Sequence, residues 1–284
     1  MERPIRVFKY MPIRSCVKNC GRLRIEDISH VKDILCKKQL HFTKWYDMND
    51  IFEGHYILKD DVFNDAHDEV IGLLLQKLRF HLTCFSRSLN SHLMWSHYAS
   101  AHTGVAIELT ISKEGRTELD GNDIVIEDMR YLESNTPSIV TKSEIINAVH
   151  DSSKRKLREL IFKMLLTKTE CWGYEKEIRM IIDSAYWNSE NVQRNKYRLI
   201  PEKGEKVNAV YFGNRIAVKD AREIKRLCEA EGVKWYYMNE VDDTFQDARS
   251  LIVINDYLAS YPIPDTEFCP LENALSEENY EVIE

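Results

Sequence analysis

The sequence predicts an α+β protein: a central, mostly antiparallel twisted sheet flanked by helices. Three observations carry this. Short runs of alternating polarity recur along the chain, amphipathic runs of helical spacing lie between them, and the two do not follow the regular βαβ rhythm of a doubly wound sheet.

Residues 6–11 read as a first strand, stopped by Pro12. Residues 25–35 carry a helical pattern and 39–43 a short strand. Residues 44–54 form a polar, aromatic loop holding Asn49, Asp50 and Glu53; Asn and Asp commonly make turns through their own backbone bonds. Over 61–79, Val70, Leu73, Leu74 and Leu78 fall at helical spacing and are expected to form one buried stripe. Residues 80–86 alternate with period two and end on Ser86. Asn90 or Ser91 can cap a helix running to about Ala101, with Trp95 and Tyr98 on one face; Gly104 breaks it, and 105–111 return as a strand.

Thr141-Lys-Ser-Glu144 has capping-box form ahead of one long helix, whose buried stripe is Leu157, Leu160, Ile161, Met164 and Leu165. Its other face carries Lys154, Arg155, Lys156 and Arg158, read as a solvated basic face. Further strands are expected at 178–182, 197–200, 209–212 and 233–238, with a helix at 221–231.

Composition narrows the class. Of 284 residues, 44% are hydrophobic and 30% charged, which excludes wholesale disorder and fibrous repeats. One main body over 1–245 is expected, followed by an acidic, partly disordered extension over 246–284. Residues 250–284 hold eight acids and no Lys or Arg, so the preceding residues balance 39 bases against 38 acids. A near-neutral body is unlike a protein built to coat DNA. No run approaches the ~20 apolar residues of a membrane span, and the charged start MERPIRVFKY is unlike a signal peptide. Seven cysteines without paired spacing fit reduced thiols and a cytoplasmic location.

Phosphate-loop, dinucleotide and His-Glu-x-x-His signatures are absent. Cys16-x3-Cys20 lacks a second ligand pair at finger spacing, so no metal site is expected. A restriction-type nuclease needs an acid two residues before its strand lysine, and Tyr174 stands there before Lys176. What remains is a set of polar residues at strand edges. If a strand opens at Glu175, then Glu175 and Glu177 share one face and Lys176 the other. Two readings stay open: surface acids with one of them paired to Arg179, or an acid pair sharing a site. Trp95 and Tyr98 offer a stacking platform or ordinary core packing; His97 and His102 are proton carriers or structural histidines.

Taken in order, Tyr10, Asn49-Asp50-x-Phe52-Glu53, Phe85-Ser86, Met94-Trp95-x-His97-Tyr98-x3-His102-x-Gly104, Trp172-x-Tyr174-Glu175-Lys176-Glu177-x-Arg179 and Tyr211-Phe212-Gly213 resemble a bacterial family of unknown function. Its members are scattered among bacteria and mobile elements and are associated with phage defence. Ile51 departs from that family's usual proline after Asn-Asp. A remoter resemblance is to ADP-ribosyltransferases, including DNA-modifying toxins: Tyr10 on a first strand, Ser86 ending a middle strand and Glu175-x-Glu177 opening a later one follow the same chain order.

That resemblance implies a toxin or phage-defence effector that consumes NAD as substrate. Glu177 would stabilise the ribosyl cation and Glu175 would orient or deprotonate a nucleic-acid or protein acceptor. Trp95 or Tyr98 would stack on nicotinamide, Ser86 would bind near its ribose, Tyr10 would line the cofactor site, and Arg179 would meet a carboxylate or pyrophosphate. Asn49, Asp50, Glu53, His97 and His102 would form a wall or acceptor loop. A regulatory partner from a defence operon would fit such an effector. Two alternatives stand beside it: a metal-dependent nucleic-acid-processing enzyme using Asp50, Glu53, Glu175 and Glu177, and a non-catalytic sensor of a nucleotide or phage component.

Overall fold

The computed structural model describes residues 3–13, 16–19, 22–25, 28–48, 50, 54, 56–59, 67–116, 124–133, 138–186, 192–193, 195–241, 250–254 and 280–282. The expected class is what it shows: an α+β protein with a large, mostly antiparallel sheet and flanking helices. The chain gathers into two compact units, each of three segments. The first holds Met1–Ile5, Leu40–Phe85 and Ser112–Arg198; the second holds Arg6–Gln39, Ser86–Ile111 and Leu199–Glu284. Among the described residues, no helix is long and apolar enough to cross a membrane.

In the first unit, residues 80–85 of the strand Phe80–Ser86 neighbour Glu177–Asp183, which pairs antiparallel with Ile124–Asp128. Glu177–Asp183 is buried on both faces except at its last residue, so its two inner charges, Glu177 and Arg179, must be paired within the protein. Period two places Glu177, Arg179 and Ile181 on one face. Ile181 on that face joins a core built with Leu82, Val125 and the helices His67–Lys77, Lys142–Val149 and Arg155–Leu165. The helix Arg155–Leu165 buries the expected stripe of Leu157, Leu160, Ile161, Met164 and Leu165.

Two expectations for these helices are corrected. The capping box at Thr141 and Glu144 is present, but the helix it opens ends at Val149 instead of running on. Asp151 accepts from the backbone N–H of Lys156 (2.9 Å) and Ser153 from that of Arg155 (3.3 Å), and Lys154 is left-handed with φ 59°. Short polar side chains thus cap a new helix where a continuous one would need their backbone groups. In His67–Lys77, Val70 and Leu73 are buried as expected, whereas Leu74 and Leu78 are exposed. Lys77 is buried instead: its ammonium donates to the carbonyl of Gly54 and lies 3.8 Å from the centre of the Trp45 ring.

The second unit contains strands in the order Tyr280–Val282, Ser250–Ile254, Lys234–Val241, Lys206–Phe212 and Val105–Ile111, with 6–11 of the Ile5–Met11 strand next in line. Lys206–Phe212 and Lys234–Val241 pair in parallel, joined by the helix Val218–Ala230, which buries Ala221, Ile224 and Cys228. This is one βαβ unit among antiparallel neighbours. Ser91 caps the helix His92–Tyr98 by accepting from Met94 N–H at 3.4 Å. That helix stops short of Ala101, because Ser100, Ala101 and His102 all turn left-handed, with φ of 47°, 53° and 69°. Two glycines let the backbone crowd this turn: a Cβ on Gly104 would sit 2.2 Å from the Met11 carbonyl oxygen, and one on Gly213 2.2 Å from that of His102.

Candidate functional site

A buried group of four charges gathers in the first unit. Residues Glu170–Glu175 form a 3-10 helix, Lys176 turns left-handed at φ 42°, and the strand begins at Glu177. Glu175 therefore precedes the strand, which corrects the expectation that both acids open it and share a face by alternation. They meet by another route. Lys168 lies on the short strand Thr167–Thr169, which pairs in parallel with Arg130–Leu132 and places Lys168 opposite Tyr131. Its ammonium reaches Glu175 Oε2 at 2.7 Å and Glu177 Oε2 at 2.8 Å. The Trp172 ring lies 5.3 Å from the same ammonium, within cation–π range.

Arg179 closes the group. Its Nε donates to Glu177 Oε1 at 2.7 Å and its Nη2 to Glu177 Oε2 at 3.2 Å. Its Nη1 donates to the Leu165 carbonyl at 2.5 Å, at the end of the helix Arg155–Leu165. A helix end presents carbonyls without intrahelical partners and the negative pole of the helix dipole, so a guanidinium there is doubly favoured. The side chain is wholly buried. Its expected role at a pyrophosphate is corrected accordingly: the guanidinium is turned inward onto Glu177 and a helix end.

Two neutral groups complete the surroundings of Glu177. Tyr131 accepts from its backbone N–H at 2.8 Å, and the Cys84 thiol donates to its carboxylate. Burial, then the charge of Glu177, pushes the Cys84 thiol up, so it stays protonated and donating. Burial likewise raises the Tyr131 phenol, and burial with the nearby Glu175 pushes Tyr174 up to about 12. Burial alone would raise the carboxyl of Glu177; the charges of Arg179 and Lys168 outweigh it and hold Glu177 well below the ordinary carboxylate range. A carboxylate depressed in the folded state adds stability that is full above its unfolded value and lost as pH falls through that range. The contribution of Glu177 is therefore expected to be constant above about pH 5 and to fall away below the ordinary value of 4.5, checked by comparing thermal unfolding of wild type and Glu177→Gln across pH. A Glu177→Gln variant should show a shallower decline.

Sequence reasoning missed Lys168, Tyr131 and Cys84. A lone lysine in Thr-Lys-Thr reads as a solvated strand residue, and only its burial marks it.

Tyr10, Ser86, Trp95, His97, Tyr98 and His102 fall in the second unit, where the first three bind one segment. The Tyr10 hydroxyl donates toward the carbonyls of Ser88 (3.0 Å) and Leu89 (2.8 Å), and Trp95 Nε1 donates to the Leu89 carbonyl at 3.0 Å. Ser86 donates to the Ser88 carbonyl at 3.1 Å and accepts from the Ser88 N–H at 3.0 Å. Together they pin the 86–89 segment. Trp95 is wholly buried, with Tyr10 edge-on at 5.2 Å and His102 stacked at 6.1 Å. Its expected role as a nicotinamide platform is corrected, because both neighbours are already packed on a ring that has no exposed surface. Tyr98 and His102 are half-buried and His97 is exposed. Glu108 accepts from Arg6 (2.9 Å), Asn208 (3.1 Å) and Tyr211 (2.7 Å), a satisfied buried carboxylate of structural character.

Asp50 is half-buried, while Asn49 and Glu53 lie outside the described residues. Among the described residues no three His, Cys, Asp or Glu side chains gather in a set able to hold a metal ion. Between Glu175 and Glu177 the lysine ammonium already sits where a divalent ion would bridge them.

Residues 94–180 match a family described as "Protein of unknown function (DUF2971)". No curated protein and no solved structure matches the chain. The matched stretch contains Trp95 and all four charges of the buried group, so family likeness and the strongest electrostatic feature coincide in sequence.

Proposed function

We propose that this chain is an NAD-consuming enzyme of ADP-ribosyltransferase type, acting as a bacterial toxin or phage-defence effector. The observation that carries this reading is the seating of one cation, the Lys168 ammonium, between the carboxylates of Glu175 and Glu177. Breaking the nicotinamide–ribose bond develops positive charge on the ribose ring, and two carboxylates arranged around a cation have the field to stabilise it. In this reading the C1′–N bond breaks with its electron pair leaving on nicotinamide, and Glu177 faces the ribosyl cation. Glu175 takes the proton of an acceptor hydroxyl or amine as the new bond forms at C1′. Lys168 must swing aside for substrate to enter, so it acts as a gate. The remote resemblance of Glu175-x-Glu177 to the transferase signature supports the same roles.

The test is release of free nicotinamide from NAD, followed by chromatography. The wild type is expected to release it, and Glu177→Gln to do so about 10²–10⁴-fold more slowly, with circular dichroism establishing that the variant is folded. Unchanged release by folded Glu177→Gln removes Glu177 from the mechanism.

A second reading, a non-catalytic nucleotide or phage-component sensor, is favoured by the closure of the same group: its acids and bases balance and are nearly inaccessible. No nicotinamide release, together with a melting temperature raised by a nucleotide, would select it.

A further inference from the structure

Six large apolar side chains are exposed among the described residues: Tyr46, Ile71, Leu74, Leu75, Leu78 and Leu93. Four of them follow the spacing i, i+3, i+4, i+7 along the helix His67–Lys77 and the residue after it, with 42%, 39%, 59% and 45% of their surface exposed. Single exposed leucines are ordinary, whereas a continuous apolar stripe on one helix face marks an interaction surface. This helix cannot roll to hide the stripe. Val70, Leu73 and Lys77 are buried on its other side, and a Cβ on Gly72 would already touch Val149 at 3.9 Å.

We propose that this face pairs with the same face of a second copy of the chain, antiparallel across a two-fold axis. Three features select that occupant. Ile71 and Leu78 lie equally far from the midpoint between Leu74 and Leu75, so a two-fold axis there sets Ile71 against Leu78 of the second copy and Leu74 against its Leu75. Asp68 and Glu69 stand at the helix start and Arg79 just beyond its end, with Arg79 still 42% exposed while paired to Asp183. An antiparallel arrangement brings the acidic start of one helix to the Arg79 end of the other and opposes the helix dipoles, whereas a parallel one sets like charges together. No charged residue interrupts the run from Val70 to Gln76, so nothing in the middle of the stripe resists pairing with its own image.

A stripe of four side chains is on the scale of the largest patches on monomers, about 300–600 Å², and smaller than the roughly 800 Å² per partner of a standard interface. The pairing is therefore a reversible dimer that forms in the micromolar range.

Sedimentation velocity of the full chain across about 1–200 μM, a range bracketing that of a small interface, tests the proposal. The wild type is expected to shift from monomer to dimer, while Leu75→Glu stays monomeric throughout. Leu75→Gln, which adds no charge, should raise the dissociation constant at least tenfold. Leu74→Lys alone should also be monomeric, and mixing it with Leu75→Glu should restore a dimer, because the two-fold axis sets those positions opposite each other. A wild type that stays monomeric at the highest concentration, Leu75→Glu dimers as strong as wild type, or no dimer on mixing would each overturn the proposal. The first outcome would leave the stripe to a helix of a different protein.

Discussion

Lys168→Met is expected to lower folding stability by about 3–5 kcal/mol, the usual result of removing one member of a buried ion pair. With Lys168 present, the charges of Glu175 and Glu177 are matched by those of Lys168 and Arg179. Methionine fills similar volume, so little packing is lost, but two negative charges then face the single guanidinium of Arg179 in a nearly inaccessible place. The loss should appear as a lower midpoint of urea unfolding at pH 7. Lys168→Met combined with Glu175→Gln restores the balance of charge and is expected to recover a coupling of about 0.5–3 kcal/mol relative to the sum of the single changes. Simple additivity in that cycle would mean that Lys168 stabilises by packing and not by its charge. The same cycle bears on the proposed chemistry, since a lysine that only gates the acids should be dispensable: the folded double variant should release nicotinamide no more slowly than Glu175→Gln alone.

Gly213→Ala is expected to cost as much as overpacking ordinarily does, about 1–3 kcal/mol, or more. The added Cβ would sit 2.2 Å from the His102 carbonyl oxygen and 2.7 Å from its carbon. Both are backbone atoms. The carbonyl of His102 also accepts from Arg215 N–H at 3.0 Å, and Gly213 N–H donates to Gly104 O at 2.9 Å, so neither strand of the contact can move alone. Gly232→Ala serves as the comparison: its φ is +65°, but a Cβ there meets nothing within 4 Å, so only the left-handed strain of about 1–2 kcal/mol applies. Thermal unfolding of the two variants should separate close approach from backbone conformation. A Gly213→Ala protein no less stable than Gly232→Ala would show that the 102–104 turn can yield.

Where the sequence misread the molecule, the misreadings share a cause. Leu74 and Leu78 have the spacing of a core stripe, yet burial requires another element to arrive, and among the described residues none covers them. Trp95 looks the same in sequence whether it offers a ring to a ligand or packs beneath Tyr10 and His102; the partners lie far along the chain or across a left-handed turn. Glu175 and Glu177 look like alternating strand residues, but Lys176 turns left-handed and takes Glu175 off the strand.

The sequence by itself determined the α+β class, the strands Phe80–Ser86 and Val105–Ile111 to the residue, and the capping box at Thr141. These follow from alternation, spacing and short-range side-chain bonds, all set within a few residues of one another. Only the tertiary structure decided that Lys168 joins Glu175 and Glu177, that Arg179 turns inward to a helix end, and that the apolar face of His67–Lys77 is left open. Charge pairing and burial depend on which distant segments come within a few ångströms, and a linear pattern of residues carries no record of that distance.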